Sequence, residues 1–402
     1  MKQYSPSGTR LLFFLSTALC ISLVSACASR GPVLTGTASQ YHPARLASGV
    51  PARPGSVAWS PDGRLIAWTG KQLALYDRDS GKQTLFPVAN PHFLAWSPDG
   101  LLYILNRDAR GDVFLSSLDI RSSRVAVLVC VEADAVYPVP DGKSLVLLSA
   151  AVTRLSMGSQ IDTRLMVYDT GTHKVRTIYH QSRTAMTRSP DAALWTAWLH
   201  AGVNPLDYSL FVMEHVTPPL VAGYTEVNTM DIATGDLTPV TGAGSRKQYL
   251  SASWSPDGKR LAVTDGNGFL EIRGRAGDSV LLNSSVSGMY PSWNPAGSRI
   301  YAGGFLVDSA GTNREQILSG AGAARSIAAW SPDGTMLAVD TDDGLLLFRG
   351  IPAAFLPPDG PLDKELVERF SLLRSLALEG AITRDEYRQR RNRLMGTTGD
   401  GR

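Results

Sequence analysis

The sequence has too few cysteines to build a disulfide framework. Three occur in 402 residues, at Cys20, Cys27 and Cys130. The first two lie in the N-terminal segment, which leaves Cys130 without an intramolecular partner in an oxidising compartment. Apolar residues 125–129 precede Cys130, and this setting predicts a buried, unreactive thiol.

The sequence also lacks the short motifs that mark many enzymes. G-x-S-x-G, H-E-x-x-H, C-x-x-C and a complete Walker loop are all absent, which removes the signatures of a serine hydrolase, a zinc protease and a P-loop nucleotidase. The six histidines are scattered, and no two stand two or four residues apart. We therefore expect no enzyme activity, no cofactor and no metal site.

The sequence also lacks a large excess of positive or negative charge. The formal net charge is +3, and the basic excess lies in the N-terminal segment and in residues 363–402. The central body is therefore close to neutral. Nucleic-acid binding needs clustered lysine and arginine, so we expect no nucleic-acid partner.

The one pronounced apolar run lies at the N-terminus. Lys2 and Arg10 precede an uncharged stretch over residues 11–24, which is shorter than the roughly 20 residues that cross a bilayer core. No comparable run follows it. A basic start, a short apolar run and small residues at its end are typical of a secretory signal.

The end of this signal, residues 23–27, reads L-V-S-A-C and resembles the lipobox of bacterial lipoproteins. The resemblance implies cleavage after residue 26 and lipidation of Cys27, with palmitate among the acyl chains. Two or three chains anchor a protein stably. Ala28, where an aspartate would favour the inner membrane, implies the periplasmic face of the outer membrane. The alternative is an ordinary secretory signal with an incidental cysteine.

An internal repeat organises the central body. The pattern x-x-W-S-P-D-G recurs about every 40 residues, the length of a four-stranded propeller blade. Proline, aspartate and glycine together reverse the chain between two strands. The four clear copies are residues 57–63, 94–100, 252–258 and 328–334. Three weaker copies are residues 137–142, 188–192 and 293–297.

A second turn, as in residues 76–82, 168–171 and 230–235, indicates four strands per repeat. We therefore predict an all-β propeller of seven four-stranded blades, with six or eight as the alternatives. The last repeat lacks an outer strand, and Pro32–Gly36 is the candidate strand that closes the ring and removes its open edges.

The W-S-P-D-G copies resemble the repeats of TolB-like propellers, a WD40-like type, over about residues 32–352. Residues 372–387 resemble the SHOCT short C-terminal domain, a helical hairpin taken as an oligomerisation or tethering module. Five arginines of this hairpin (384, 388, 390, 391 and 393) suit lipid phosphates or an acidic partner, although a solvated face is the simpler reading.

These features divide the chain into five segments. They are a signal peptide (1–26), an N-terminal tether with the candidate closing strand (27–50), the propeller (51–352), a proline-rich linker (353–362) and a two-helix module (363–396). A long insertion at Glu214–Glu226 is either a recognition loop or a tolerated insertion.

Segments that lead into the inner strands are predicted to form the rim of one channel mouth. By position alone they nominate six candidate binding residues, although packing or solvent exposure is the simpler role for each. These residues are His92, Tyr137, Arg188, Tyr249, Tyr290 and Arg325.

Two functional hypotheses follow. The first is a lipid-anchored, non-catalytic envelope scaffold that binds a protein, peptide or glycan and self-associates through its C-terminal helices. The second is a metal-assisted lyase or hydrolase that acts on a polysaccharide or lactone at the channel. The second requires His92 and two further ligands about 2.0–2.2 Å from one point. The absence of motifs favours the first.

The lipobox yields a direct test with a matched control. We expect Cys27→Ser to abolish labelling by radioactive palmitate and to release the protein from the membrane fraction, because the acylated thiol is lost. Cys20→Ser, which changes a residue inside the signal, should leave both properties unchanged. Palmitate labelling of the Cys27→Ser protein would contradict the assignment.

Overall fold

The computed structural model describes residues 41–48, 55–155, 158–185, 201–216, 224–241, 247–274, 280–286, 290–310, 313–320, 322–352 and 363–395. These residues form seven four-stranded antiparallel sheets and a C-terminal helical hairpin. The predicted seven-bladed propeller is therefore confirmed.

Each blade runs from an inner to an outer strand. Blade 1 has β2 (Val57–Trp59), β3 (Leu65–Thr69), β4 (Leu73–Asp77) and β5 (Gln83–Phe86). Blade 2 has β6 (Pro91–Trp96), β7 (Leu102–Arg107), β8 (Val113–Asp119) and β9 (Arg124–Cys130). Blade 3 has β10 (Ala135–Pro138), β11 (Ser144–Leu155), β12 (Gly158–Asp169) and β13 (Val175–Ala185). Blade 4 has β14 (Ala201–Val203), β15 (Leu210–Val216), β16 (Tyr224–Met230) and β17 (Leu237–Pro239).

The remaining blades follow the same order. Blade 5 has β18 (Tyr249–Trp254), β19 (Arg260–Asp265), β20 (Phe269–Gly274) and β21 (Val280–Ser285). Blade 6 has β22 (Ser292–Trp293), β23 (Arg299–Ala302), β24 (Phe305–Asp308) and β25 (Arg314–Gln316). Blade 7 has β26 (Ile327–Trp330), β27 (Met336–Thr341) and β28 (Gly344–Arg349), with β1 (Ala44–Ser48) as its outer strand.

The W-S-P-D-G turn is held by its own side chains. Ser60 Oγ donates to Asp62 Oδ1 over 2.5 Å and accepts from the Leu65 amide over 2.8 Å. Gly63 has φ +69°, which a residue with a side chain rarely adopts. Ser97, Ser255 and Ser331 make equivalent bonds. Because the turn is local, its sequence identifies the blade.

The ring closes through the first described strand. β1 pairs antiparallel with β28, from Ala44 opposite Leu347 to Ser48 opposite Gly344. The inner strands contact each other in all seven consecutive pairs, including β26 with β2. The proposed closing stretch Pro32–Gly36 lies outside the described residues, and the strand seen in this role begins at Ala44.

The inner turn of blade 4 differs from the predicted one. Residues 188–192 lie outside the described residues, and the turn that follows β14 begins at Asn204. The Asn204 amide donates to Ser209 O over 2.7 Å, as the Ser60 amide does to Leu65 O. Tyr208 takes the positive φ of 61°. The assignment of 188–192 to this turn was therefore wrong, because asparagine replaces serine and the positive φ falls on Tyr208, one position later than the glycine of the other turns.

Five tryptophans join neighbouring blades. Each ends an inner strand and donates its indole N–H to the penultimate carbonyl of the preceding inner strand. The bonds are Trp59 to Ala329 (2.9 Å), Trp96 to Ala58 (3.3 Å), Trp254 to Gly202 (3.2 Å), Trp293 to Ser253 (3.0 Å) and Trp330 to Ser292 (3.1 Å). We call these bonds the indole links. They satisfy buried polar atoms while the rings pack between blades.

Blades 3 and 4 have long central hairpins. β11 and β12 each span 12 residues, and β15 pairs with β16 from Leu210 opposite Met230 to Val216 opposite Tyr224. Both described ends of the predicted insertion Glu214–Glu226 therefore continue two blade strands, and residues 217–223 lie outside the described residues.

Two helices follow the propeller. α1 (Lys364–Leu378) begins after Asp363, whose carboxylate accepts from the Leu366 amide, and α2 (Arg384–Leu394) begins with a capping box of Thr383 and Glu386. Among the described residues, neither these helices nor any other is long and apolar enough to span a membrane.

Cys130 is exposed at the end of the outer strand β9. The expectation of a buried thiol was wrong, because an outer strand packs against its neighbour in the blade on one edge only. Val127 in the same strand is 64% exposed, so the apolar run does not report burial.

The indole links predict a cost for losing one donor. Trp254→Phe should lower the free energy of unfolding by about 1–2 kcal/mol, because the half-buried Gly202 carbonyl loses its donor while the aromatic packing is largely kept. Phe269→Leu, at a ring of the same blade that is 38% exposed, should change it by less than about 0.5 kcal/mol. Chemical denaturation measures both, and equal effects would contradict the role of the link.

Candidate functional site

The propeller has two faces. Because strands within each blade are antiparallel, the turns after the first and third strands lie on one face, which we call the turn face. The turns after the second strands and the segments that join successive blades lie on the opposite face, the connector face. Four of the candidate binding residues, His92, Tyr249, Tyr290 and Arg325, lie at or before the start of an inner strand and so belong to the connector face, whereas Tyr137 is the third residue of the four-residue strand β10.

The described candidates differ in burial and contacts. Tyr137 packs edge-on against Phe93, with ring centroids 5.5 Å apart, and Tyr249 is 2% exposed. His92 and Tyr290 are half-buried, and burial raises the pKa of the Tyr290 hydroxyl. Arg325 is 38% exposed and forms an ion pair with Asp342 over 3.0 Å. Arg188 lies outside the described residues.

Blade 5 carries a buried charged group near the connector face. Glu271 is fully buried and forms ion pairs with Lys247 and, over 2.7 Å, with Arg273. Arg273 also donates to Tyr249 Oη over 3.0 Å. Burial opposes ionisation of Glu271, but the hydrogen bonds from Lys247 and Arg273 outweigh it and lower the pKa of the carboxyl.

The exposed part of this group is Lys247, near which Asp265 supplies a second negative charge. Two cations surround one carboxylate, and the Lys247 side chain is 37% exposed whereas Glu271 is 1% exposed. The hydrogen bond from Lys247 to Glu271 raises the pKa of the lysine, so its ammonium stays charged at neutral pH. An accessible cation held in place by a buried carboxylate is suited to binding an anionic group.

A buried carboxyl lies at the seam between blades 7 and 1. Asp340 is 1% exposed, and it accepts hydrogen bonds from Ser56 Oγ and, over 3.1 Å, from Trp68 Nε1. Burial raises the pKa of Asp340 to about 6, and the nearby Asp342 adds to that shift.

Among the residues that the structure describes, no three histidine, cysteine, aspartate or glutamate side chains form a group able to hold a metal. His92 lies on inner strand β6, whereas His180 lies on outer strand β13 beside Asp162, 3.0 Å away. His173 contacts Tyr168 Oη over 2.6 Å. His200 and the side chain of His215 lie outside the described residues. These described residues do not fit a three-ligand metal centre, and we derive no step through a metal.

Sequence reasoning missed Lys247, Glu271, Arg273 and Asp340. A signal was present, because Glu271 and Arg273 interrupt the apolar strand 269–274 at alternate positions and Asp340 follows the apolar run 337–339. Alternate positions share one side of a strand. The pairing of Lys247 with Glu271, 24 residues away, had no such signal.

No protein-family model and no curated sequence matches the chain. Solved structures of the same fold do match. An oligogalacturonate lyase from Vibrio parahaemolyticus superposes with a TM-score of 0.60 at 12% identity, covering 79% of this chain and 95% of the lyase. An oligogalacturonate lyase in complex with manganese gives 0.55 at 14% identity, covering 81% and 98%. At this identity the likeness shows the propeller fold.

These comparisons contradict the prediction that the chain is not an enzyme. Both propellers, which resemble about four-fifths of its length, are lyases. The prediction was drawn from the absence of short motifs, and that inference is weak for a propeller. Separate blades can assemble a site from residues far apart in sequence, so no contiguous motif is required.

The raised pKa of Asp340 predicts a pH-dependent contribution to stability. The folded state holds the proton more tightly than the unfolded chain, so this contribution is complete below pH 4 and is lost as pH rises through about 6. Asp340→Asn mimics the neutral carboxyl. It should raise stability by about 1–3 kcal/mol at pH 7 and by much less at pH 4.

Thermal unfolding of both proteins across this pH range measures the difference. Asp343→Asn, at an exposed residue three positions along the chain, is the control and should show no comparable pH-dependent gain. An Asp340→Asn difference that does not change with pH would contradict the prediction.

Proposed function

We propose that this propeller binds acidic oligosaccharides at its connector face and acts on them as a carbohydrate-active enzyme of the cell envelope. The observation that carries the proposal is the group of Lys247, Glu271 and Arg273, in which a partly exposed ammonium is held by a buried carboxylate. A carboxylated sugar offers the complementary charge.

The structural neighbours support the choice of substrate class. Both are oligogalacturonate lyases, and an oligogalacturonate carries one carboxylate per sugar unit. Arg325 is a second, partly exposed cation of the connector face, on blade 7, where it pairs with Asp342. Cations on separate blades suit an extended anionic chain better than a small compact anion.

Half-buried aromatic and imidazole groups complete the proposed surface. Tyr290 lies in the connector before the inner strand of blade 6, and His92 is the second residue of the inner strand of blade 2; both residues are half-buried, and the Nε2 atom of His92 is buried. Sugar rings pack their apolar faces on aromatic side chains, and a neutral imidazole can accept a proton at physiological pH. His92 is therefore our candidate for a proton-transfer role.

The cellular setting is part of the proposal. Residues 1–40 lie outside the described residues, and the lipobox-like sequence supports lipid attachment at Cys27 and a location on the periplasmic face of the outer membrane. There the propeller would meet saccharide fragments that enter the envelope. The resemblances to TolB-like repeats and to SHOCT are in keeping with an envelope protein.

Binding can be tested with one substitution and a matched control. Lys247→Ala should weaken binding of a trigalacturonate about tenfold, the effect of losing one charge-assisted hydrogen bond. The fold should persist because Arg273 still pairs with Glu271. Lys259→Ala removes an exposed lysine of the same blade on the turn face and should leave binding unchanged.

Calorimetric titration measures affinity, with the methyl-esterified saccharide as the neutral ligand. Cleavage is followed by formation of unsaturated products, with manganese added and with a chelator. Equal affinity for the charged and esterified saccharides would overturn the binding proposal. Binding without product under either condition would overturn the catalytic part alone.

A further inference from the structure

Among the described residues, the seams between blades 2 and 3 and between blades 3 and 4 have no indole link. The inner strand of blade 3 ends in Pro138 and that of blade 4 ends in Val203, at the positions where five other blades have tryptophan. Neither side chain can donate a hydrogen bond to the preceding blade. An apolar cluster shared by blades 2 to 4 packs both seams, and the C-terminal helices add polar contacts at the seam between blades 3 and 4.

Helix α1 lies across this seam on the turn face. Arg374 forms an ion pair with Asp141, in the inner turn of blade 3. Its guanidinium also stacks on the ring of Tyr208, in the inner turn of blade 4, 5.0 Å from the ring centroid. The side chains of Arg374 and Asp141 are only 4% and 5% exposed. One buried arginine thus contacts both blades.

Helix α2 contacts blade 4. Arg391 lies 2.8 Å from Asp207 and 3.0 Å from Asp231, and the buried Tyr387 hydroxyl donates to Asp231 over 3.0 Å. Arg388 makes two bonds of 2.7 Å to Asp236, which also accepts from Arg384. The predicted solvated arginine face was therefore wrong for Arg391, which is 20% exposed, whereas Arg384 and Arg388 are exposed to solvent and also pair with Asp236.

The contacts match in charge and include apolar packing. Asp141, Asp207, Asp231 and Asp236 all face arginines of the hairpin, and the side chain of Asp207 is completely buried. The hydrogen bonds from Arg388 lower the pKa of Asp236. Val367 packs against the apolar cluster that blades 2 to 4 share. A buried carboxylate that loses its partner is strongly destabilising.

We infer that the C-terminal helical hairpin is an intramolecular clamp, whose partner is the acidic turn face of blades 3 and 4 in the same chain and which replaces the missing indole link. The hairpin is too small to bury a core alone, and the propeller supplies the surface it needs.

A charge exchange across the Arg388–Asp236 pair tests the clamp in the full-length protein. Arg388→Asp and Asp236→Arg should each raise amide exchange rates in β11 and β15 at least about threefold, because opening of the seam becomes easier. Combining the two substitutions restores opposite charges and should return the rates to within about twofold of wild type.

A control variant and two reference strands distinguish opening of the seam from a general effect of charge or of global unfolding. Arg393→Asp places the same charge change on an exposed residue of the same helix and should have no effect. Strands β23 and β27 report global unfolding. Faster exchange in all blades alike, or no recovery in the double variant, would overturn the inference.

A second measurement distinguishes contact within one chain from contact between two. Asp236→Cys and Arg388→Cys are combined in a Cys130→Ser background and treated with a bis-maleimide. The clamp predicts linked peptides within a monomer. Linked peptides found only in covalent dimers would show that the acidic surface receives the hairpin of a second copy, which would overturn the inference.

Discussion

The pairing of β1 with β28 is the contact on which the whole propeller depends. Each blade buries both of its sheet faces against its neighbours, so a propeller with one open seam would expose two apolar surfaces. The N-terminal strand supplies the outer edge of blade 7 and ties the two ends of the propeller together. Because blades bury their surfaces only in a closed ring, this single strand pairing conditions the stability of all seven.

How much of this architecture the sequence predicts depends on how local each signal is. The Ser-Pro-Asp-Gly turns are stabilised by bonds that span at most five residues, so their sequence identifies them without knowledge of the fold. Blade 4 was misplaced because its turn keeps the outer backbone bond, from Asn204 to Ser209, but moves the positive φ one position later, to Tyr208. Neither its residues nor its spacing match the repeat.

Non-local contacts were beyond sequence reasoning. Lys247 meets Glu271 and Arg374 meets Asp141 only after blades and hairpin have assembled. A periodic pattern states which side of a strand a residue occupies, but not which charged residue from another segment it meets. The rim candidates illustrate this limit, since Tyr249 was nominated as a surface residue and is buried beneath Arg273 and Glu271.

The direction of the indole links has a consequence for biosynthesis. Each tryptophan reaches back to the blade that precedes it in the chain. A nascent polypeptide can therefore fasten each new blade to one already emerged, without waiting for later sequence. The exception is Trp59, whose acceptor lies in blade 7, the last blade to be synthesised. Its bond, like the pairing of β1 with β28, can form only after blade 7 has emerged. Assembly can thus proceed in order from the first blade to the last, and the propeller ring closes in the final step.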